Sequence, residues 1–185
     1  MTNQPKPNRG PSAGPENRRA LVAAAREIFG AQGAGAPLSA IAKRAGVGQG
    51  SLYRHFPDRV ALAAAVFDEN IAELERLLVG DERGVVDLLD RVADQAAASA
   101  SLFEMVVAHQ NDASLGHLDD RIRNLAQRML RSDVERGTLS DRVDVDDVLL
   151  AVFMMASVLA RTGAGERAEV RQRAHRMLWA ALASA

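Results

Sequence analysis

The chain has 185 residues, no cysteine and a formal net charge of −1 at pH 7. Its length is sufficient for one domain or two small ones with an apolar core, and the lack of cysteine excludes disulfide frameworks and thiolate metal sites. The charge is uneven, because residues 1–60 contain nine Lys or Arg against three Asp or Glu, for a net +6, and the remainder is −7. A basic first part favours a polyanionic partner for that part alone, unless the asymmetry is a chance fluctuation.

Residues 1–15 are rich in proline, glycine and polar residues, with too little apolar surface to offset the entropy lost on ordering. We therefore expect this segment to be a disordered tail. The N-terminal segment lacks the apolar stretch of a signal peptide. The longest nearly apolar run, residues 148–160, would extend about 20 Å as a helix, short of the roughly 30 Å of a bilayer core. These features predict a cytoplasmic protein.

No proline follows Pro57, and the alternating β-branched or aromatic runs that are typical of strands are missing. Alanine, leucine and arginine, which are good helix formers, dominate instead. The sequence therefore predicts an all-α fold in which glycines mark the ends of helices. The predicted helices cover residues 16–32, 38–45, 49–55, 58–79, 84–109 (with a break near 99–101 as an alternative), 115–136, 144–162 and 166–183.

Two short predicted helices are separated by a glycine-rich turn. Residues 38–45 have apolar side chains at helical spacing, and Gly46 follows, where glycine is favoured because a helix often ends in the left-handed conformation. In the next helix Leu52 and Phe56 are four residues apart and are predicted to point inward. This arrangement is typical of a helix-turn-helix motif. Its outer face carries polar and basic residues, namely Gln49, Ser51, Tyr53, Arg54 and His55.

The stretch LSAIAKRAGVGQGSLYRHF, residues 38–56, resembles the DNA-binding motif of TetR-family transcriptional regulators. The resemblance extends over residues 17–66, and beyond them it is limited to length and helical character. It implies a helix-turn-helix DNA-binding domain at residues 16–60 and a helical effector-binding and dimerisation domain at residues 61–185. The candidate DNA-binding residues are then Arg44, Gln49, Gly50, Ser51, Tyr53, Arg54, His55 and Arg59.

Three positions depart from the usual pattern of that family. Gly48 replaces the serine that usually caps the second helix of the motif, at a cost of about 1 kcal/mol or less. Pro37 replaces a threonine, so a phosphate contact at that position is not expected, although proline is acceptable at a helix start. Ser51 lacks the methyl group with which threonine contacts a thymine methyl. We therefore expect phosphate contacts and DNA shape to supply much of the affinity.

The helix at residues 144–162 is apolar on nearly all sides after an acidic start, so it needs cover from its own chain and from a partner. Together with helix 166–183 from each subunit it would form a four-helix dimer interface, as the resemblance implies, with purely intramolecular packing as the alternative. A dimer also suits two DNA half-sites about 34 Å apart. The candidate dimer residues are Val152, Met155, Leu159, Val170, Ala174, Met177, Leu178 and Ala181.

A ligand pocket is predicted where apolar and methionine-rich helices face each other, since methionine suits irregular pockets. Ordinary core packing is the alternative for each of these residues. Glu104 and His109 are the polar groups expected to orient a ligand. The spacing of His109, Asp112 and His117 matches no metal-ligand pattern, so neither a metal nor a cofactor is expected. The candidate pocket residues are Phe103, Glu104, Met105, His109, Leu125, Met129, Phe153 and Met154.

The leading hypothesis is a homodimeric transcriptional repressor that binds a palindromic operator and is released by a small-molecule effector. The resemblance implies that helix 58–79 links the two parts. The sequence has no nucleophile–base–acid order, no phosphate loop and no H-E-x-x-H motif, so we do not expect an enzyme. The alternative is a helical small-molecule or lipid carrier without specific DNA binding, which would lack the steep salt dependence that phosphate contacts produce.

Overall fold

The computed structural model describes residues 14–80, 82–98, 100–109, 112 and 115–183, and within them it shows the predicted all-α fold. No helix in these ranges is both long and apolar enough to span a membrane. A single bridge pairs Leu139 with Ala183. The helices are α1 (Gly14–Gln32), α2 (Leu38–Ala45), α3 (Gln49–His55), α4 (Arg59–Leu77), α5 (Val85–Ala98), α6 (Ala100–Ala108), α7 (Gly116–Glu135), α8 (Val145–Arg161) and α9 (Arg167–Leu182).

The observed helix ends differ from the predicted ends at a few places. α1 begins at Gly14, so the last two residues of the predicted disordered tail are helical, while residues 1–13 lie outside the described residues. α4 begins at Arg59 because the Asp58 side chain caps it, with its Oδ1 accepting a hydrogen bond from the Ala61 N–H at 2.8 Å. The predicted segment 84–109 is divided into α5 and α6.

Helices α1–α3 form a small unit, which we call the head, around one apolar core. Its largest core side chains are at most 2 % exposed, and they come from all three helices and from the residue that follows α3. α2 and α3 are only eight and seven residues long. Helices this short are marginal in isolation, so their stability depends on this packing. The largest core residues are Leu21, Phe29, Ile41, Leu52 and Phe56.

The core of the head is completed by residues from outside it. Val66 of α4 and Leu102 and Met105 of α6 belong to the same buried cluster as the head residues. In addition, the Ser101 hydroxyl donates a hydrogen bond to the Phe29 carbonyl oxygen at 2.9 Å. The apolar core around the head therefore extends beyond residue 60 and includes parts of α4 and α6.

The remaining helices, α5 and α7–α9, form a second unit, which we call the body. Its core includes Val85 and Leu88 of α5, Leu125 of α7, and Met155 and Leu159 of α8, all at most 1 % exposed. α8 begins with a capping box, in which the Asp144 side chain accepts from the Asp147 N–H and the Asp147 side chain accepts from the Asp144 N–H. The cap fixes where the apolar part of α8 enters the core.

A buried carboxylate of the body caps the start of α5. Asp133 is 3 % exposed, and its Oδ2 accepts a hydrogen bond from the Val85 N–H at 2.7 Å. Its Oδ1 accepts from the Thr138 hydroxyl at 2.7 Å and from the Arg136 guanidinium at 2.5 Å. Gly84 lies directly against this carboxylate, and a Cβ there would approach it to less than 3.0 Å. The site therefore requires glycine.

Helix α4 connects the head to the body, and it is held against α7 by polar contacts. Arg121 of α7 donates to Asp68 Oδ1 and to Glu75 Oε2, each at 2.6 Å. The hydrogen bond from Arg121 lowers the pKa of the Glu75 carboxyl group, and the same bond raises the pKa of Arg121. His117 Nε2 also lies 3.2 Å from Asp68 Oδ1. These contacts tie the middle of α4 to the body.

Candidate nucleic-acid interface and internal cavity

The turn between α2 and α3 has the predicted helix-turn-helix geometry. Gly46 adopts the left-handed conformation, with φ of 67°, and its N–H is directed at the carbonyl oxygens of Ala42 and Lys43. The Val47 N–H donates to the Ala42 carbonyl oxygen at 3.0 Å. Only glycine adopts this φ without strain, so Gly46 fixes the angle at which α3 leaves α2.

Helix α3 has one buried and one exposed face, as the spacing predicts. Leu52 and the following Phe56 are buried in the head, whereas Tyr53 is 53 % exposed. Gln49, Gly50 and Arg54 are exposed as well, and Ser51 and His55 are half-buried. Gly48 provides no side-chain cap, and a Cβ at Gly50 would meet nothing within 4 Å, so the start of α3 is open. This face can approach a flat or grooved partner closely.

Two of the candidate DNA-binding arginines make only weak contacts within the chain. Arg44 Nη2 lies 2.7 Å from Glu27 Oε2, but both side chains are more than half exposed, and such pairs contribute little to stability. Arg54 Nε donates to the Gly50 carbonyl oxygen of its own helix at a long 3.3 Å. Both guanidinium groups can therefore be redirected to phosphate at little cost.

Arg59 makes contacts within the chain that the resemblance does not imply. Its Nη1 donates to the carbonyl oxygen of Ala34 and, at 2.6 Å, to that of Ala36, and both residues lie in the loop between α1 and α2. Its guanidinium carbon also lies 5.8 Å from the centre of the Phe29 ring. These contacts hold α4 against the head, so Arg59 has a structural role, while its contact with DNA stays a prediction.

The structure adds two basic residues that were not among the candidates. Lys43, at the end of α2, is exposed and forms no ion pair with any described residue. Arg18, near the start of α1, is exposed, and its guanidinium carbon lies 5.4 Å from the centre of the Phe56 ring. The stacking holds Arg18 beside Phe56, the residue that directly follows α3. Both were visible in the sequence only as part of the basic charge of residues 1–60.

An internal cavity of about 420 Å³, partly open to solvent, lies among the helices of the body and the adjoining α4 and α6. Its wall comes from α4–α8 and is mostly apolar, and it includes the predicted pocket residues Phe103 and Phe153, whose ring centres are 6.0 Å apart. This volume lies in the range of sites for drug-sized ligands. The polar residues of the wall are Asn70, Gln95, Asp119 and Arg123.

The other predicted pocket residues do not line this cavity. Met105 belongs to the core around the head, Leu125 and Met129 fill the core of the body, and Met154 lies on the outer surface of α8. The polar candidates are also elsewhere, since Glu104 Oε1 lies 3.5 Å from Arg161 Nε, and His109 Nδ1 lies 2.8 Å from the carbonyl oxygen of Met105. The polar part of the wall comes instead from α4, α5 and α7, which the sequence did not single out. Among the described residues, no three His, Asp or Glu side chains are grouped as a metal site.

The predicted dimer residues fall into two groups. Leu159 is 0 % exposed in the core of its own chain and Val152 lines the cavity, so these two lie at intramolecular positions, whereas Met155, which is 1 % exposed, also lines the groove between α8 and α9. The five candidates on α9 lie along an open apolar groove between α8 and α9. The sequence did not single out Leu150 and Val158, which lie along the same groove. The α9 residues are Val170, Ala174, Met177, Leu178 and Ala181.

An exposed recognition helix on a helical body with a ligand-sized cavity defines a helix-turn-helix transcriptional regulator. Residues 21–66 match the bacterial regulatory proteins of the tetR family. The chain is 30% identical over 144 residues to the HTH-type transcriptional regulator SrpR of Pseudomonas putida, covering 70% of this chain and 67% of that protein. The chain therefore belongs to the TetR family of transcriptional regulators.

Two further comparisons agree with this assignment. The HTH-type transcriptional repressor SCO4008 of Streptomyces coelicolor is 26% identical over 129 residues, which is 67% of each chain. The crystal structure of the TetR transcriptional regulator SCO0520 from Streptomyces coelicolor superposes with a TM-score of 0.62 at 26% identity, over 90% of this chain and 98% of that one. Members of the family bind DNA as dimers and bind small-molecule ligands.

Proposed function

We propose that this chain is a homodimeric repressor that binds a palindromic operator through α3 and is released when a small-molecule effector enters the internal cavity. The observation that carries the proposal is the double role of α4. Val66, in its first half, is part of the core around the head, whereas Asn70 and Leu74, in its second half, line the cavity. A change in the cavity wall therefore acts on the helix that holds the DNA-binding head.

The groove between α8 and α9 supports the dimer. Its exposed side chains include Leu150, which is 57 % exposed, and Met177, which is 67 % exposed. An apolar surface of this kind is typical of a protein–protein interface, and a second copy of the same two helices would complete a four-helix arrangement. The dimer presents two heads to the two half-sites of a palindrome.

A side-chain contact supports the link between cavity and head. Arg26 of α1 donates to Asn70 Oδ1 at 2.8 Å, so a residue of the cavity wall is directly bonded to the first helix of the head. An effector shifts DNA affinity only if it binds the released state more tightly than the DNA-bound state. A coupling of about 1–3 kcal/mol, or roughly 5- to 150-fold in affinity, is ordinary for such systems.

The proposal is tested by selecting genomic fragments that bind the purified protein and then measuring affinity for them at several salt concentrations. We expect an enriched palindrome and a steep loss of affinity with salt, because phosphate contacts release counterions. The double variant Tyr53→Ala/His55→Ala should weaken binding to all sequences, whereas Gln49→Ala should mainly relax base preference. His109→Ala, an exposed change directly after α6, is the matched control and should alter neither.

Two results would reject the proposal in different ways. If no fragment is enriched and binding is insensitive to the α3 variants, the carrier without specific DNA binding is favoured. If a fragment is enriched, a reporter gene placed behind it should be expressed less when the protein is present. Increased expression would exclude repression while leaving specific DNA binding intact.

A further inference from the structure

We propose that the effector is an uncharged, mostly apolar molecule and that its carbonyl-type oxygen accepts a hydrogen bond from the side-chain amide of Asn70. The role of this molecule as an effector rests on the proposed function. Its binding to the cavity does not require DNA and can be measured without it. The inference comes from Asn70, a polar residue of the cavity wall whose side-chain amide nitrogen is unused within the described residues. Its geometry fixes what kind of ligand group it can bind.

Asn70 is a buried polar residue with half of its amide unused. It is 6 % exposed and lines the cavity. The atom that contacts Arg26 must be the oxygen, because a guanidinium group only donates hydrogen bonds. The amide nitrogen therefore occupies the other position, and no hydrogen bond among the described residues uses it. This nitrogen is not completely enclosed by protein, so a ligand in the cavity can supply its acceptor.

The position of Asn70 is fixed from two further directions. Gln95 of α5, which also lines the cavity, donates from Nε2 to the Asn70 main-chain oxygen at 3.0 Å. Arg26 holds the side chain from the head, at 2.8 Å from Asn70 Oδ1. The free amide N–H groups are thus held in a defined orientation before a ligand binds, which lowers the entropic cost of binding.

The charges around the cavity favour an uncharged ligand. The charged residues of the wall, Asp119 and Arg123, are both exposed to solvent, and Arg123 Nη1 is paired with Asp146 at 2.8 Å. Beside Asn70, the charge of Arg26 faces Glu69 at 3.4 Å. A charged ligand group next to Asn70 would therefore lose its hydration without gaining an unpaired counter-ion, which is strongly unfavourable.

The rest of the wall favours an apolar, partly aromatic body for the ligand. Phe67, Phe103 and Phe153 come from three different helices and line the same space of about 420 Å³. Aromatic walls pack well against flat rings in offset or edge-on arrangements. The cavity is thus suited to a ring system of drug-like size that carries one neutral acceptor.

The test uses three fluorescent probes that share one ring system, namely anthracene, 2-acetylanthracene and anthracene-2-carboxylate. Each is titrated into the purified dimer without DNA. We expect the ketone to bind about three- to tenfold more tightly than the hydrocarbon, as one hydrogen bond provides, and the carboxylate to bind more weakly than the ketone. The emission of the bound ketone should also carry the spectral shift of a hydrogen-bonded carbonyl.

Asn70→Asp is the decisive variant, since it keeps the shape and the oxygen that accepts from Arg26 but replaces the donor by a second acceptor. It should abolish the preference for the ketone and its spectral shift, so that ketone and hydrocarbon bind the variant with similar affinity, because the hydrogen bond that separates them is lost. Asn124→Asp, the same change at an exposed position of α7 outside the cavity wall, is the matched control and should behave as wild type. Asn70→Leu, which removes the amide without adding charge, should abolish the preference in the same way.

Three results would overturn the inference. Equal binding of ketone and hydrocarbon by the wild type would show that Asn70 donates no hydrogen bond to a ligand. A ketone preference that survives both Asn70 variants would place the acceptor elsewhere, and failure of all three probes to bind would show that the cavity does not admit apolar ring systems. A failure of the proposed function appears separately, as the lack of an enriched operator, because no DNA is present in these titrations.

Discussion

Arg59 provides a sharp test, because its observed contacts and its position in the family motif predict different defects. In the structure its guanidinium donates to the Ala34 and Ala36 carbonyl oxygens and lies over the Phe29 ring. Arg59→Met keeps the aliphatic stem over the ring but removes the donors. We therefore expect a less stable protein whose DNA contacts are unchanged at a temperature where it is folded.

The size of the effect follows from these contacts. A hydrogen bond from a charged group contributes about 1.5–3 kcal/mol, and the two carbonyl groups can be partly rehydrated in a loop, so we expect a loss of about 2 kcal/mol in the free energy of unfolding. For a chain of this length that corresponds to a decrease in Tm of about 4–8 °C. Thermal unfolding followed by circular dichroism measures it.

Arg54→Met is the matched control, because Arg54 makes only one long hydrogen bond to any described residue, the carbonyl oxygen of Gly50 in its own helix. We expect its Tm to be unchanged and the slope of log affinity against log salt to decrease in magnitude by about 1.8, since a dimer would lose two phosphate contacts at about 0.9 each. The reasoning is refuted if Arg59→Met leaves Tm unchanged and reduces the salt slope instead.

Three further predictions concern the dimer, the close contact between Gly84 and Asp133, and pH. Met177→Asp places a charge in the exposed apolar groove and should convert the dimer to a monomer in sedimentation experiments. Gly84→Ala forces a Cβ against the Asp133 carboxylate and should reduce the free energy of unfolding by about 1–3 kcal/mol, measured by denaturant titration. Arg121 lowers the pKa of Glu75, so the stability this bond provides should be present above pH 4.5 and lost as the pH falls below it, and Glu75→Gln should flatten the decline of Tm with acid.

Each of these changes has a matched control in the same chain. Val79→Asp adds a charge at a 74 % exposed position outside the groove and should leave the dimer intact. Gly116→Ala adds a Cβ that meets nothing within 4 Å and should be nearly neutral. Glu73→Gln alters a carboxylate whose one ion pair within the described part of the chain, to Arg76, is 4.0 Å long, and the acid-induced decline of Tm should stay as in wild type. A control that behaves like its test variant would contradict the corresponding argument.

The sequence was most informative where one face of a helix is plainly apolar. In α3 the spacing of Leu52 and Phe56 leaves only one way to bury the helix, so the sequence predicts that Tyr53 is exposed, as it is. Gly46 was equally informative, because few residues tolerate its backbone angle. The head therefore agrees closely with the predicted arrangement.

The sequence was least informative for α8, which is apolar on nearly every side. Phe153 lines the cavity, Met154 is exposed in the outer groove, and Met155 is buried in the core beneath that groove, so three successive residues have three different environments. The periodicity of apolar residues cannot distinguish the faces of this helix, because nearly all of them are apolar. Asn70 was missed for another reason, because its meaning depends on Arg26, which lies 44 positions earlier in the chain.

The way α6 completes the core of the head restricts how such regulators can be recombined. Grafting residues 16–60 onto the body of a relative would pair the head with foreign side chains at the positions of Leu102 and Met105, and with a foreign hydroxyl or none at Ser101. A chimeric regulator that still responds to its effector must therefore keep Ser101, Leu102 and Met105 of this chain together with the head. A junction chosen only by domain boundaries in the sequence would leave the core of the transferred head incompletely packed.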